Sequence, residues 1–88
     1  MRWNEDYLNE KIAKDFVLVP VGDSYVNGIF VLNETAQKIV ELLRVGKDRE
    51  KIVATLCAEY DGSNTAEITD CVDETLKKLR EIGAIIDD

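Results

Sequence analysis

The chain has 88 residues, 45% hydrophobic and 33% charged, with a net charge of −7. That length fits one domain, residues 1–88, with a thin core. Acids outnumber bases 18 to 11, which speaks against nucleic acid as a partner, because such binding rests on clustered Lys and Arg.

Histidine is absent, so the commonest general base and metal ligand is missing. The segment Met1 to Asp6 has no apolar stretch behind Arg2 and does not read as a signal peptide. No apolar run is long enough to cross a bilayer. These features predict a cytoplasmic chain without a membrane partner. Trp3 and Tyr7 sit among polar residues, and residues 1–10 read as a flexible lead segment.

Ile12-Ala13 reads as a short strand. Phe16 to Val21 is a stronger one, with Pro20 at an edge or terminus because it cannot donate to a ladder. Gly22-Asp23-Ser24 and Asn27-Gly28 are turn signals. Ile29 to Leu32 is the next strand, with Phe30 and Leu32 on one face and Ile29 and Val31 on the other.

Three helices follow. Asn33 is a suitable N-cap for a helix reaching Arg44, with Ala36, Ile39, Val40 and Leu43 on its apolar face and Gly46 as its stop. Asp48 caps a second helix through Ile52, Val53, Leu56, Cys57 and Tyr60, ended by Asp61-Gly62. Asn64 with Glu67 three residues on resembles a capping box. The third helix runs to Ile82 with the stripe Ile68, Val72, Leu76, Leu79 and Ile82, and Gly83 stops it. Ala84 to Ile86 is a short apolar extension. Strands first and helices second make an α+β domain. Phe30, Leu32, Leu43, Leu56 and Leu79 are expected to meet in its core.

No catalytic constellation is legible, and no cofactor or metal is expected. Glu67, Asp70, Asp73, Glu74 and Glu81 crowd the third helix opposite its stripe and read as a solvated face. Cys57 and Cys71 lack CxxC spacing and have no base nearby in sequence. Cys57 reads as core, and Cys71 lies at the margin of the stripe. Asp23-Ser24 matches the short attachment motif of acyl carrier proteins, but the following Tyr25 to Gly28 reads as strand and turn where a carrier needs a helix.

So few strands cannot close a sheet, so at least one edge stays open. An open edge beside an amphipathic helix suits an added peptide strand. Its other covers would be the N-terminal segment or the partner in a homodimer.

The run Leu18-Val19-Pro20-Val21-Gly22, then Asn27-Gly28-Ile29-Phe30-Val31-Leu32-Asn33-Glu34-Thr35-Ala36, resembles the PqqD-like family. The family is named for a pyrroloquinoline quinone biosynthesis protein. Ile39 to Leu43, Ile52-Val53, Glu59-Tyr60-Asp61 and Arg80 to Ile85 continue the likeness. It implies a winged-helix-like domain of three antiparallel strands and three helices. It also implies a non-catalytic module that recognises the leader of a ribosomally made precursor peptide for a modifying enzyme, often a radical SAM protein. In the family the leader pairs with the third strand against the third helix. Carried over by position, the site is Ile29, Phe30, Val31 and Leu32. Helical angles put Cys71, Thr75, Lys78 and Ile82 on one flank of the third helix and Leu76 and Gly83 on the other; the former is expected to face the strand, with Lys78 placed to meet an acidic leader. The fold class also overlaps with winged-helix DNA binders and regulators, but the last helix carries mostly acids where a reading helix needs bases.

Overall fold

The computed structural model describes residues 1–21, 29–60 and 64–87. They form β1 (Arg2–Trp3), β2 (Tyr7–Ile12), β3 (Asp15–Pro20), β4 (Phe30–Leu32), α1 (Glu34–Arg44), α2 (Arg49–Glu59), α3 (Thr65–Glu81) and β5 (Ile85–Ile86). The expected α+β order holds, with an antiparallel sheet β2-β3-β4 ahead of three helices. The predicted turns around Asp23-Ser24, Asn27-Gly28 and Asp61-Gly62 lie outside the described residues.

Strand alternation explains which face is covered. Leu18 is fully buried, and Phe16, Leu18, Phe30 and Leu32 share its face because Phe16 pairs with Leu32 and Leu18 with Phe30. Helices close over that face, packing Ile39, Val40 and Leu43 of α1, Ile52 and Leu56 of α2, and Val72, Leu76 and Leu79 of α3 into one cluster. Leu43, Leu56 and Leu79 are buried as expected, whereas Phe30 and Leu32 are only partly buried against the cluster. Both sit on the short outermost strand, beside which the described residues place no further strand. Cys57 is half-buried rather than core.

The helix ends follow from their caps. Asn33 Oδ1 accepts from the Ala36 N–H at 2.7 Å and Asp48 Oδ1 from the Lys51 N–H at 2.9 Å. Asn64 accepts from the Ala66 N–H instead of the Glu67 N–H that a capping box would use. Gly46 and Gly83, at φ +88° and +84°, turn the chain out of α1 and α3.

The N-terminal segment departs most from expectation. Residues 1–10 are not a loose lead. Trp3 is 5% exposed and Tyr7 4%, and both belong to the core cluster. Arg2 and Trp3 pair with Ile86 and Ile85, so the apolar C-terminal extension is a strand partner. The Asn4 N–H donates to the Ala84 carbonyl, and Asn4 Nδ2 donates to the Gly83 carbonyl, each at 2.8 Å. The strand expected at Ile12-Ala13 is six residues long and ends at Ile12. Ala13 instead occupies the two-residue turn to Asp15, with φ +56°.

A partly buried amide pair joins sheet to helix. Asn9 Nδ2 donates to Gln37 Oε1 at 2.9 Å, and Gln37 Nε2 returns a bond to Asn9 Oδ1 at 2.8 Å. Buried polar groups without such partners are costly, and among the described residues no buried side-chain nitrogen or oxygen lacks one.

Candidate functional site

The ladder decides which backbone groups of β4 are available. The Val21 N–H donates to the Asp6 carbonyl at 2.7 Å, so Val21 faces β2. Along an antiparallel strand each residue directs its N–H and C=O to one side, and successive residues alternate sides. Val17 and Val19 therefore face β2 as well, while Phe16 and Leu18 face β4. Their partners Leu32 and Phe30 spend their backbone groups on β3. Val31 is left directing its N–H and C=O to the outer edge, where the described residues place no further strand.

Beside that edge runs a cleft between β4, the start of α1 and the C-terminal half of α3. It is lined by Phe30, Val31 and Leu32, by Asn33 and Ala36, and by Thr75, Lys78 and Ile82, with Leu18 and Leu79 at its floor. Thr75, Lys78 and Ile82 line up because residues three and four apart share a helix face. The wall is anchored from behind: Tyr7 Oη donates to the Ile82 carbonyl at 2.6 Å. Burial pushes the Tyr7 phenol above its ordinary pKa of 10.0, so it keeps this proton.

Six of the eight residues expected at the site, Phe30, Val31, Leu32, Thr75, Lys78 and Ile82, line this one cleft. Two do not. Ile29 precedes the strand and is 54% exposed. Cys71, one turn before Thr75, lines a second hollow with Thr35, Leu56, Tyr60, Glu67 and Ile68. The start of α1 contributes to both hollows, with Thr35 in one and Asn33 and Ala36 in the other. Asn33 and Ala36 were not among the expected site, although their place at the cap and in the first turn of α1 was readable.

The electrostatics are those of a solvated surface. Lys78 Nζ lies 3.5 Å from Glu74, both largely exposed. Arg80 pairs with Asp87 at 2.8 Å, and Arg49 pairs with Asp73. The hydrogen bond from Arg49 holds the Asp73 carboxyl below its ordinary value. Glu67, Asp70, Asp73, Glu74 and Glu81 outnumber Lys77, Lys78 and Arg80 on α3, so the last helix has little to offer a phosphate backbone. Among the described residues, no group of His, Cys, Asp and Glu is arranged to hold a metal ion. No described helix is long and apolar enough to cross a membrane.

A comparison with curated proteins finds no match. Among solved structures the chain is similar to TbiB1, determined in complex with the TbiA(beta) leader peptide. The TM-score is 0.77 at 24% identity, with 99% of this chain and 100% of that chain covered. At that identity the likeness establishes the fold. The family model for coenzyme PQQ synthesis protein D (PqqD) matches residues 15–85. That span takes in the three-stranded sheet from β3 onward, the cleft and all three helices, and it makes the chain a member of the PqqD family.

Proposed function

We propose that this chain is a peptide-recognition module that binds the leader of a ribosomally made precursor peptide and presents it to a modifying enzyme, such as a radical SAM protein, in the cytoplasm. It performs no chemistry itself. The leader adds as a strand to the outer edge of β4 and lays alternate side chains into the cleft against Thr75, Lys78 and Ile82. The observation that carries this reading is the backbone of Val31, whose N–H and C=O point out of the sheet beside an apolar cleft. Strand addition draws affinity from such main-chain groups and specificity from the neighbouring pockets. Membership of the PqqD family and the leader complex of the similar TbiB1 support it.

Titration of the isotope-labelled chain with a cognate leader peptide tests the reading. Amide shifts are expected at Val31 and along Thr75 to Ile82. Changes confined to α2 and the C-terminal half of α1, with β4 and α3 silent, would refute the placement.

A further inference from the structure

The face of the sheet turned away from the helices is aliphatic. Alternation from the buried Leu18 places Val17 and Val19 on it, together with their register partners Val31, Glu10 and Leu8. Ile12 follows on the same side. Leu8 is 46% exposed, Ile12 53% and Val31 66%. Val17, at the centre, is only 3% exposed yet stands outside the main core cluster. Among the described residues of the three strands, two charged residues are set into this face, Glu10 and Asp15, and both are acids. The neighbouring Lys11 points the other way, its Nζ 5.4 Å from the Phe16 ring on the helix-covered side.

We propose that this outer face docks a protein surface with an apolar centre and a basic margin, carried by the enzyme that modifies the leader. The identity of the enzyme rests on the function proposed above; the chemistry of the contact does not. Charge selects the occupant. A second copy of this chain would set Glu10 and Asp15 against acids of its own, between two bodies of charge −7 each. An anionic lipid surface is repelled for the same reason. A basic protein face gains from both acids while covering the exposed aliphatic side chains. Geometry supports the pairing: Val31 turns its side chain to this face and its backbone to the peptide edge. The docked enzyme therefore meets the peptide at its strand without entering the cleft.

The test uses a purified radical SAM enzyme that modifies the cognate precursor, and the cognate leader peptide, as separate probes, with calorimetry for each. Leu8→Lys and Ile12→Lys, combined, replace apolar contacts with like charge on a solvent-facing strand. The enzyme is expected to bind this variant at least about tenfold more weakly, while the leader binds within about twofold of wild type. Glu10→Lys is expected to weaken the enzyme alone and to reduce the salt dependence of its binding. Circular dichroism confirms that each variant is folded. Unchanged enzyme affinity in folded variants overturns the proposal. So does a wild-type dimer in sedimentation that Leu8→Lys dissolves. A wild-type chain that binds the enzyme through this face yet ignores the leader would sink the cleft assignment and leave the outer face supported.

Discussion

Val31→Pro separates the two sides of β4. Proline removes the Val31 N–H, which points away from β3, so no bond of the ladder is lost. Proline is accepted on edge strands in that orientation. The bound leader, however, loses the donor for one of its carbonyls. A hydrogen-bonding group left without its partner costs about 1–3 kcal/mol, or roughly 5- to 150-fold in affinity at 1.4 kcal/mol per decade. Leu32→Pro is the matched control, since Leu32 faces Phe16 and its loss breaks the ladder. The expected pattern is weak binding with a nearly unchanged melting curve for Val31→Pro, and a clearly lowered melting temperature for Leu32→Pro. Leader affinity is read by fluorescence anisotropy and stability by circular dichroism. Amide exchange gives the same answer without mutation: Val31 should exchange quickly in the unbound chain and slowly with leader, whereas Phe30 and Leu32 should be protected in both. Full affinity in a folded Val31→Pro, or a Val31 amide protected before leader is added, would show that the pairing side has been assigned wrongly.

Lys78→Glu reverses an exposed charge at the cleft margin. It should leave stability within about 0.5 kcal/mol and weaken an acidic leader by about 0.5–2 kcal/mol, less at high salt; an unchanged titration isotherm would remove Lys78 from the site. Leu56→Ala empties a fully buried position between α2 and its neighbours and should cost about 2–5 kcal/mol in urea unfolding. Ala13→Gly should stabilise by about 1 kcal/mol, since φ +56° is strained for alanine and ordinary for glycine; a lowered melting temperature would contradict that turn. The Arg49–Asp73 pair has a pH signature. Its depressed carboxyl adds stability above the unfolded value of 3.8 and loses it as pH falls below that value. Asp73→Asn should accordingly flatten the acid limb of a melting-temperature profile, and identical limbs would deny the pair any role.

The helices were legible because each carries its own punctuation: Asn33, Asp48 and Asn64 start them, and Gly46 and Gly83 stop the first and last. Phe16 to Pro20 was legible because it is apolar on both faces. Tyr7 to Ile12 was not, because its interior Asn-Glu-Lys run suits an outermost strand half turned to water. Its turn at Ala13-Lys14 also lacks the Gly or Asn that a positive φ normally recruits. The pairing of Arg2-Trp3 with Ile85-Ile86 involves two residues on each side, too few for any period to appear. Six of the eight expected site residues line one cleft; the strand residues came from the family resemblance, and only the flank of the third helix from helical periodicity. Cys71 instead lines the neighbouring hollow. Helical angles give the flank a residue lies on, but not where the start of α1 crosses that flank. The available side of β4 required the register, which the sequence did not display.

The pairing of β1 with β5 brings Arg2 and Ile86 into register as neighbours, and antiparallel partners lie only about 4.5–5.5 Å apart at Cα. A few glycines are enough to join the two ends, so the chain could be cut at another connection and circularly permuted without stretching the sheet. For the same reason the whole unit can be set into a surface loop of a host protein, entering and leaving at one point.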